Sequence, residues 1–213
     1  MELQYWYKKW ENEDIGFHND RTNPVLLNFI EKFISYQNNI ESSCLIPLCG
    51  KSKDLLFLKE FFKQITGVEL VKKAIDDFFS ENQLKANVFK DTYKYENLEI
   101  INHNIFDLPK SNKKKFKYIY DRAAIIALPE KKRRSYVNSL KDLMDNTCTI
   151  LMITIEYSSQ SVVGPPFSVS KKEIQEYFKG FSIDEVHHEK LVSALSKFKD
   201  IQITQKVYII NKC

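Results

Sequence analysis

Hydrophobic residues recur along the chain at two periods, one typical of helices and one of buried strands. In residues 24–37 the apolar side chains follow a helical period, and Asn23 before Pro24 suits an N-cap. Short apolar runs predict strands at residues 44–48, 65–69, 98–102, 118–121, 149–157, 181–186 and 203–210. Helices are predicted at residues 3–14, 52–63, 70–82, 130–145 and 170–179. This alternation predicts an α/β fold with a mostly parallel sheet and right-handed crossovers.

The last two predicted strands, FSIDEV (181–186) and ITQKVYII (203–210), have no predicted helix between them. They therefore predict a C-terminal antiparallel hairpin. This variation on a doubly wound sheet fits an S-adenosylmethionine-dependent methyltransferase better than a nicotinamide dehydrogenase. Fold alone does not decide the chemistry.

Length and charge narrow the class of protein. The 213 residues suit one domain, and the net charge of +4 is too mild to indicate nucleic-acid binding. Only four of the 32 basic residues are Arg, the residue that usually binds phosphate and guanine through two hydrogen bonds, which argues against sequence-specific recognition of nucleic acid. Lysine-rich runs such as 131–134 are interpreted as solvated faces. No apolar run is long enough to span a membrane, and the N-terminus lacks the apolar core of a signal peptide. We expect a cytoplasmic monomer that binds neither nucleic acid nor membrane.

Metal binding is not expected. The cysteines lack the CxxC spacing of zinc sites, and no histidine stands at a ligand-like distance from them. Cys44 and Cys148 lie in apolar runs, which predicts reduced core residues, whereas Cys213 is terminal.

Candidate ligand contacts follow the predicted strands, because ligands of open α/β sheets bind beyond the carboxyl ends of the strands. In PLCGKS (47–52), Gly50 would let the chain turn closely around a ligand. The GKS suggests a phosphate loop, but the glycine that this motif needs at position 45 is Leu45. The chain also lacks GxGxxG, which weakens a dinucleotide interpretation.

Polar side chains follow the next strands. Glu69 is placed either to accept hydrogen bonds from two ribose hydroxyls or to stabilise a helix N-terminus, and its spacing favours neither. Asn104 and Ile105 could hold a nucleoside base, although spacing alone favours a turn closed by Asp107. Arg122 could position an anionic group or pair with a carboxylate.

Aromatic residues near the N-terminus form a second group. Trp6 and Trp10 lie one helical turn apart, with Phe17 nearby, and could enclose a sulfonium cation. Core packing is the commoner role of such a stripe. His18 is interpreted as structural, and Gly164-Pro165-Pro166 as a rigid loop over the site.

Seven segments, in this order, match the pattern of a known family: WENEDIGFH (10–18), IPLCGKSKD (46–54), GVEL (67–70), FDLP (106–109), YDRAAIIALP (120–129), GPPFSV (164–169) and KVYII (206–210). Over nearly its whole length the sequence resembles the thiopurine S-methyltransferase family. The resemblance implies a Rossmann-like class I methyltransferase fold, with a seven-stranded sheet, and a single domain of residues 1–213 whose residues 1–40 form a helical cover.

The resemblance also implies a function and a site. S-adenosylmethionine would donate a methyl group to sulfur of a small aromatic or heterocyclic thiol, and bacterial members are linked to selenium and tellurium compounds. Cofactor contacts would fall on Trp6, Trp10, Phe17, Leu48, Glu69, Asn104, Ile105 and Arg122. Phe17 and Arg122 would also face the substrate. Catalysis by positioning would make a general base optional, with Asp14 and Asp121 as the weak candidates.

The sequence departs from the family at two places. A Gly-His pair before the second strand is replaced by Phe62-Lys63, which we expect to alter helix packing more than the cofactor site. The stretch 193–200 lacks the substrate-side Arg that the family commonly has, and Lys197 or Lys199 would replace it only loosely. Methylation of RNA or protein, and cofactor binding without catalysis, remain as alternative functions.

Overall fold

The computed structural model describes residues 3–34, 42–111, 114–158, 162–191, 198–199 and 201–212. The strands are β1 (Ser43–Pro47), β2 (Gln64–Glu69), β3 (Asn87–Phe89), β4 (Thr92–Tyr95), β5 (Leu98–Asn102), β6 (Phe116–Arg122), β7 (Met144–Glu156), β8 (Phe181–Leu191) and β9 (Ile203–Lys212). The helices are α1 (Leu3–Glu11), α2 (Pro24–Ile34), α3 (Asp54–Leu58), α4 (Lys72–Glu81), α5 (Leu108–Ser111), α6 (Glu130–Leu143) and α7 (Lys171–Tyr177), with a 3-10 turn at Ile125–Ala127.

These strands form one mixed sheet in the order β3-β4-β5-β2-β1-β6-β7-β9-β8. Strands β5, β2, β1, β6 and β7 are parallel neighbours, and β9 pairs antiparallel with both β7 and β8. The parallel core and the antiparallel C-terminal strands are as the sequence predicts. Because the chain builds β2 and β5 on one side of β1 and β6 on the other, the strand order reverses between β1 and β6. This reversal opens a crevice at the carboxyl ends of the two strands.

Two strands were not predicted. The hairpin β3–β4 joins the edge of the sheet through β5, which brings the described strands to nine rather than seven. All of β3 is exposed, and in β4 only Tyr93 is buried. Segments of three and four residues are too short to show the period of a strand clearly.

Helix boundaries follow local hydrogen bonding. Asn23 is the predicted N-cap of α2, because its side-chain oxygen accepts a hydrogen bond from the Val25 N–H at 2.9 Å. Helix α3 is shorter than predicted and ends at Leu58. The chain continues in tighter turns, in which the Phe61 N–H donates to the Leu58 carbonyl three residues earlier.

Apolar residues pack on both faces of the sheet. On the face covered by α2, α3 and α4, Phe62 contacts Tyr118, whose ring also meets Phe33, at centroid distances of 5.0 Å and 5.3 Å. Phe62 therefore takes part in helix packing, as expected of this departure from the family. Cys44 and Cys148 are buried free thiols, as predicted, whereas Cys213 lies outside the described residues.

Across the described ranges, no helix is long and apolar enough to cross a membrane. A search of those same ranges for groups of His, Cys, Asp and Glu that could hold a metal ion finds none.

Candidate active site

A cavity of about 1200 Å³ opens at the carboxyl ends of β1, β2, β5 and β6, against α1 and the loop that follows it. It lies at the crevice where the strand order reverses. The residues that the sequence singled out for cofactor and substrate all line it: Trp6, Trp10, Phe17, Leu48, Glu69, Asn104, Ile105 and Arg122. Among them, Leu48 and Arg122 are 74 positions apart in the sequence and share one cavity because parallel strands end at the same edge.

The turn after β1 wraps around the carboxylate of Glu69. Leu48 and Gly50 both have left-handed backbone conformations, with φ of 49° and 53°. This path aims the Gly50 N–H at Oε2 of Glu69, at 2.9 Å, while Oε1 accepts from the Val71 N–H at 2.8 Å. Glu69 therefore has one of its two predicted roles, since it binds the residue just before α4; it also lines the cavity, and its contact with ribose stays a prediction.

Burial raises the pKa of the Glu69 carboxyl, and the backbone N–H donors partly oppose this rise. The carboxylate is held in place by two backbone donors. Each oxygen keeps a lone pair that could accept a further hydrogen bond, which suits a pair of vicinal hydroxyls.

The aromatic residues divide between packing and the cavity wall. Trp10 is 4% exposed, and its ring lies 3.2 Å from where a Cβ on Gly50 would be, so only glycine fits here without displacing the indole. Phe17 meets Trp6 and Trp10 edge-to-face, at centroid distances of 5.6 Å and 5.8 Å, and is 46% exposed. Trp10 thus has the packing role, and Phe17 offers an open aromatic face.

The turn after β5 is closed by Asn104. Its side-chain oxygen accepts from the Phe106 N–H at 3.1 Å, and its carbonyl accepts from the Leu108 N–H at 3.2 Å. The predicted turn is present, and Asn104 supplies a side-chain acceptor in it. Ile105 is buried and provides an apolar wall.

Arg122 ends β6 and lies beside a buried carboxylate. Its Nε is 3.9 Å from Oδ2 of Asp54, which is 1% exposed. Asp54 also accepts from the Asn23 N–H at 2.7 Å and from the Tyr120 hydroxyl at 3.0 Å. Arg122 therefore pairs loosely with a carboxylate, which is one of its two predicted roles, and it also lines the cavity, where the positioning of an anionic group stays a prediction.

Asp121 points away from the cavity into the core. Its Oδ1 accepts from the N–H groups of Ala124 and Ile125, and its Oδ2 accepts from the Tyr136 hydroxyl at 2.7 Å. The side chain is fully buried. It is not among the residues that line the cavity, so it cannot serve as a base for a bound thiol.

Asp121 gives a testable pH dependence of stability. Burial raises its pKa from 3.8 to about 6 despite the three hydrogen bonds. The unfolded chain then ionises Asp121 more readily, so this group lowers the free energy of unfolding as the pH rises from 4 to 6, by about 3 kcal/mol in total. Urea unfolding of wild type and Asp121→Asn should show this difference in slope. Parallel pH profiles would contradict it.

The Gly164-Pro165-Pro166 loop lies over the cavity. Pro165 and Pro166 line it, the Phe167 N–H donates to the Ile126 carbonyl at 2.7 Å, and the Tyr157 hydroxyl donates to the Pro166 carbonyl at 2.9 Å. These bonds hold the loop in place, as predicted. Two lysines were expected to replace the family's substrate-side Arg only loosely. Lys197 lies outside the described residues, and Lys199 is exposed and does not line the cavity.

Sequence reasoning missed several cavity residues. Lys131 and Lys132, interpreted as part of a solvated face, line the cavity at the start of α6, and neighbouring Arg133 is buried. Its guanidinium donates to the Leu128 carbonyl at 3.0 Å and to Glu173 at 2.7 Å. A charge run does not reveal which of its members points inward.

The residues present fit S-adenosylmethionine. The cavity combines a carboxylate at the end of β2, an apolar wall just after β5 and a glycine turn beneath Trp10. Its volume exceeds the roughly 300–1,000 Å³ of most small-molecule sites, which leaves room for an acceptor beside the cofactor.

Solved structures share this fold. An S-adenosylmethionine-dependent methyltransferase from Anabaena variabilis superposes with a TM-score of 0.68 at 15% identity, covering 98% of this chain and 93% of that one. The N-methyltransferase NodS from Bradyrhizobium japonicum, solved with S-adenosyl-L-homocysteine, has a TM-score of 0.65 at 12% identity, covering 96% and 97%. The chain therefore has the fold of the class I S-adenosylmethionine-dependent methyltransferases.

Sequence comparison identifies the family. The model for Thiopurine S-methyltransferase matches residues 1–212. The thiopurine S-methyltransferase of Vibrio campbellii is 35% identical over 221 residues, which cover 97% of each chain. This chain therefore belongs to the thiopurine S-methyltransferase family.

Proposed function

We propose that this enzyme transfers a methyl group to the sulfur of small aromatic or heterocyclic thiols within the cavity described above. The observation that carries the proposal is the meeting of Leu48, Glu69 and Arg122 in that one cavity beneath the tryptophan-bearing helix. S-adenosylmethionine, when bound, supplies a methyl group activated by a positively charged sulfonium.

The proposed cofactor contacts follow from the chemistry of the wall. Glu69 would accept hydrogen bonds from the ribose hydroxyls, and Asn104 with Ile105 would flank the adenine. Leu48 would contact the cofactor from the turn after β1, together with Trp6 and Trp10. The electron-rich aromatic faces there favour a cation such as a sulfonium.

The acceptor thiol is proposed to lie between Phe17 and Arg122, with Arg122 also within reach of the cofactor. The positive charge of Arg122 would favour the ionised form of a thiol beside it, because an opposite charge stabilises the anion. Apolar residues form much of the remaining wall there, among them Ile126, Pro166 and Phe198. Such a wall excludes water and positions a flat heterocycle by contact.

The experiment is a substrate panel. Full-length protein is incubated with methyl-labelled S-adenosylmethionine and a set of thiophenols, thiopurines, alkyl thiols and one selenol. We expect labelled thioether and S-adenosylhomocysteine in equal amounts with the aromatic and heterocyclic thiols. A folded protein that binds the cofactor yet labels none of these compounds would refute the proposal. Methylation of selenium and tellurium compounds stays a prediction.

The alternative acceptors can be tested in the same assay. A methyltransferase that acts on RNA or protein would require an extended basic groove, and its binding would weaken steeply with salt. Membership of the family favours an enzyme over a non-catalytic binding protein.

The cytoplasmic location and the monomeric state also stay predictions. Size-exclusion chromatography with light scattering tests the monomeric state.

A further inference from the structure

We propose that the imidazole of His18 is the general base that accepts the proton of the incoming thiol. This inference rests on the proposed function, and it assigns a catalytic role to a residue whose sequence position suggested a structural one.

His18 lies over the crevice between β1 and β6. It lines the cavity directly after Phe17, and its N–H donates to the Ile15 carbonyl at 2.7 Å, which fixes the backbone. It lies within the electrostatic reach of Lys51, just beyond β1, and of Arg122, the last residue of β6. His18 is a half-buried residue of the cavity wall, near the ends of β1 and β6.

The carboxylates of the cavity are already committed. Glu69 accepts from two backbone N–H groups, and Asp54 accepts from Asn23 and Tyr120. Asp14 forms an ion pair with Lys9. These three carboxylates therefore already have partners within the protein.

The remaining cavity groups are no better suited. The thiol of Cys49 is buried, and its pKa is raised well above the ordinary value. His103 places Nδ1 3.0 Å from the Asn104 carbonyl, at the opposite, base-binding end of the proposed site. Within the described part of the chain, by contrast, no hydrogen bond or ion pair engages the ring nitrogens of His18.

The surrounding charges keep His18 neutral and ready to accept a proton. Burial lowers its pKa first, and Lys51 and Arg122 lower it further, against opposing contributions from Glu81 and Asp20. A neutral imidazole near Lys51 and Arg122 suits a thiol as the proton donor, because the thiol becomes an anionic thiolate when it loses its proton. A nearby thiolate would offset the cost of forming the imidazolium.

The proposed step conserves atoms and charge. The thiol sulfur gives its proton to a ring nitrogen of His18, uses its electron pair to bond the methyl carbon, and displaces neutral S-adenosylhomocysteine, which keeps the electrons of the broken carbon–sulfur bond. The imidazolium then releases the proton to water. Thiols that are already ionised would gain little from this base, whereas thiols of higher pKa would depend on it.

The test compares wild type, His18→Gln and a control, His188→Ala, whose side chain is 70% exposed on β8. Turnover is measured with 4-nitrothiophenol, thiophenol and benzyl thiol, in order of rising thiol pKa. A general base contributes roughly 10²- to 10⁴-fold. We expect His18→Gln to lose about 10²-fold or more in kcat with benzyl thiol and only a few-fold with 4-nitrothiophenol, while His188→Ala matches wild type. Imidazole in the buffer should partly restore His18→Ala.

A second measurement needs no turnover. In NMR titrations of the full chain loaded with S-adenosylhomocysteine, binding of thiophenol should raise the pKa of His18, and binding of methyl phenyl sulfide should not. This readout applies even if the variants fail to fold.

The failures are distinguishable. A wild type inert toward every thiol would refute the proposed function, and this inference with it. An active wild type with equal losses for all three thiols, or with a His18 pKa that does not respond to bound thiol, would refute the role of His18 alone.

Discussion

Replacing Glu69 with alanine is expected to weaken binding of S-adenosylmethionine by roughly 10- to 100-fold. The loss of even one of the proposed charge-assisted hydrogen bonds to the ribose would cost about 1.5–3 kcal/mol, and every 1.4 kcal/mol is a factor of ten in affinity. It also frees the Gly50 and Val71 N–H groups that the carboxylate now holds, so the turn beneath Trp10 loses an anchor. Isothermal titration calorimetry with S-adenosylhomocysteine measures the loss directly.

Glu99→Gln is the matched control for this experiment. Glu99 is also a buried glutamate on the sheet, on β5 next to β2, but it lies outside the cavity and binds Thr66 and Lys114 at 2.9 Å and 2.6 Å. Its replacement should lower stability and leave cofactor affinity unchanged. If Glu69→Ala binds the cofactor as tightly as wild type, Glu69 is a structural anchor and not a ribose ligand.

The parts of the site at strand ends could be predicted from sequence. Because β1, β2, β5 and β6 are parallel, the residues just beyond them meet at one edge, and their order along the chain suffices to bring Leu48, Glu69, Asn104 and Arg122 together. Apolar runs also identified the core strands, because these strands are buried on both faces. A strand buried on both faces must be apolar throughout, which is a strong local signal.

Contacts between distant side chains could not be predicted. Nothing local links Asp54 to the Asn23 N–H or to Tyr120, which are 31 and 66 positions away. The inward turn of Arg133 depends in part on Glu173, which is 40 positions away. His18 likewise gains its electrostatic neighbours from the ends of two strands that are far away in the sequence.

Asp54→Ala is expected to destabilise the protein by about 2–5 kcal/mol, because it leaves two partners without an acceptor. The Asn23 N–H and the hydroxyl of the fully buried Tyr120 both donate to this carboxylate. A buried group left unsatisfied costs about 1–3 kcal/mol. For a chain of this length the melting temperature should fall by roughly 5–15 °C. Differential scanning calorimetry at neutral pH measures it.

Two variants define the cause of that loss. Asp54→Asn keeps one oxygen for the Asn23 N–H and should lose only part of the stability. Asp76→Ala removes an aspartate that is 49% exposed and pairs with Lys72 along α4, so it should change stability by less than about 0.5 kcal/mol. Since Asn23 caps α2 and Arg122 lies beside the same carboxylate, Asp54 joins the start of α2 to the end of β6. If Asp54→Ala melts within a degree or two of wild type, Asp54 does not hold these elements together, and the cavity wall depends on apolar packing instead.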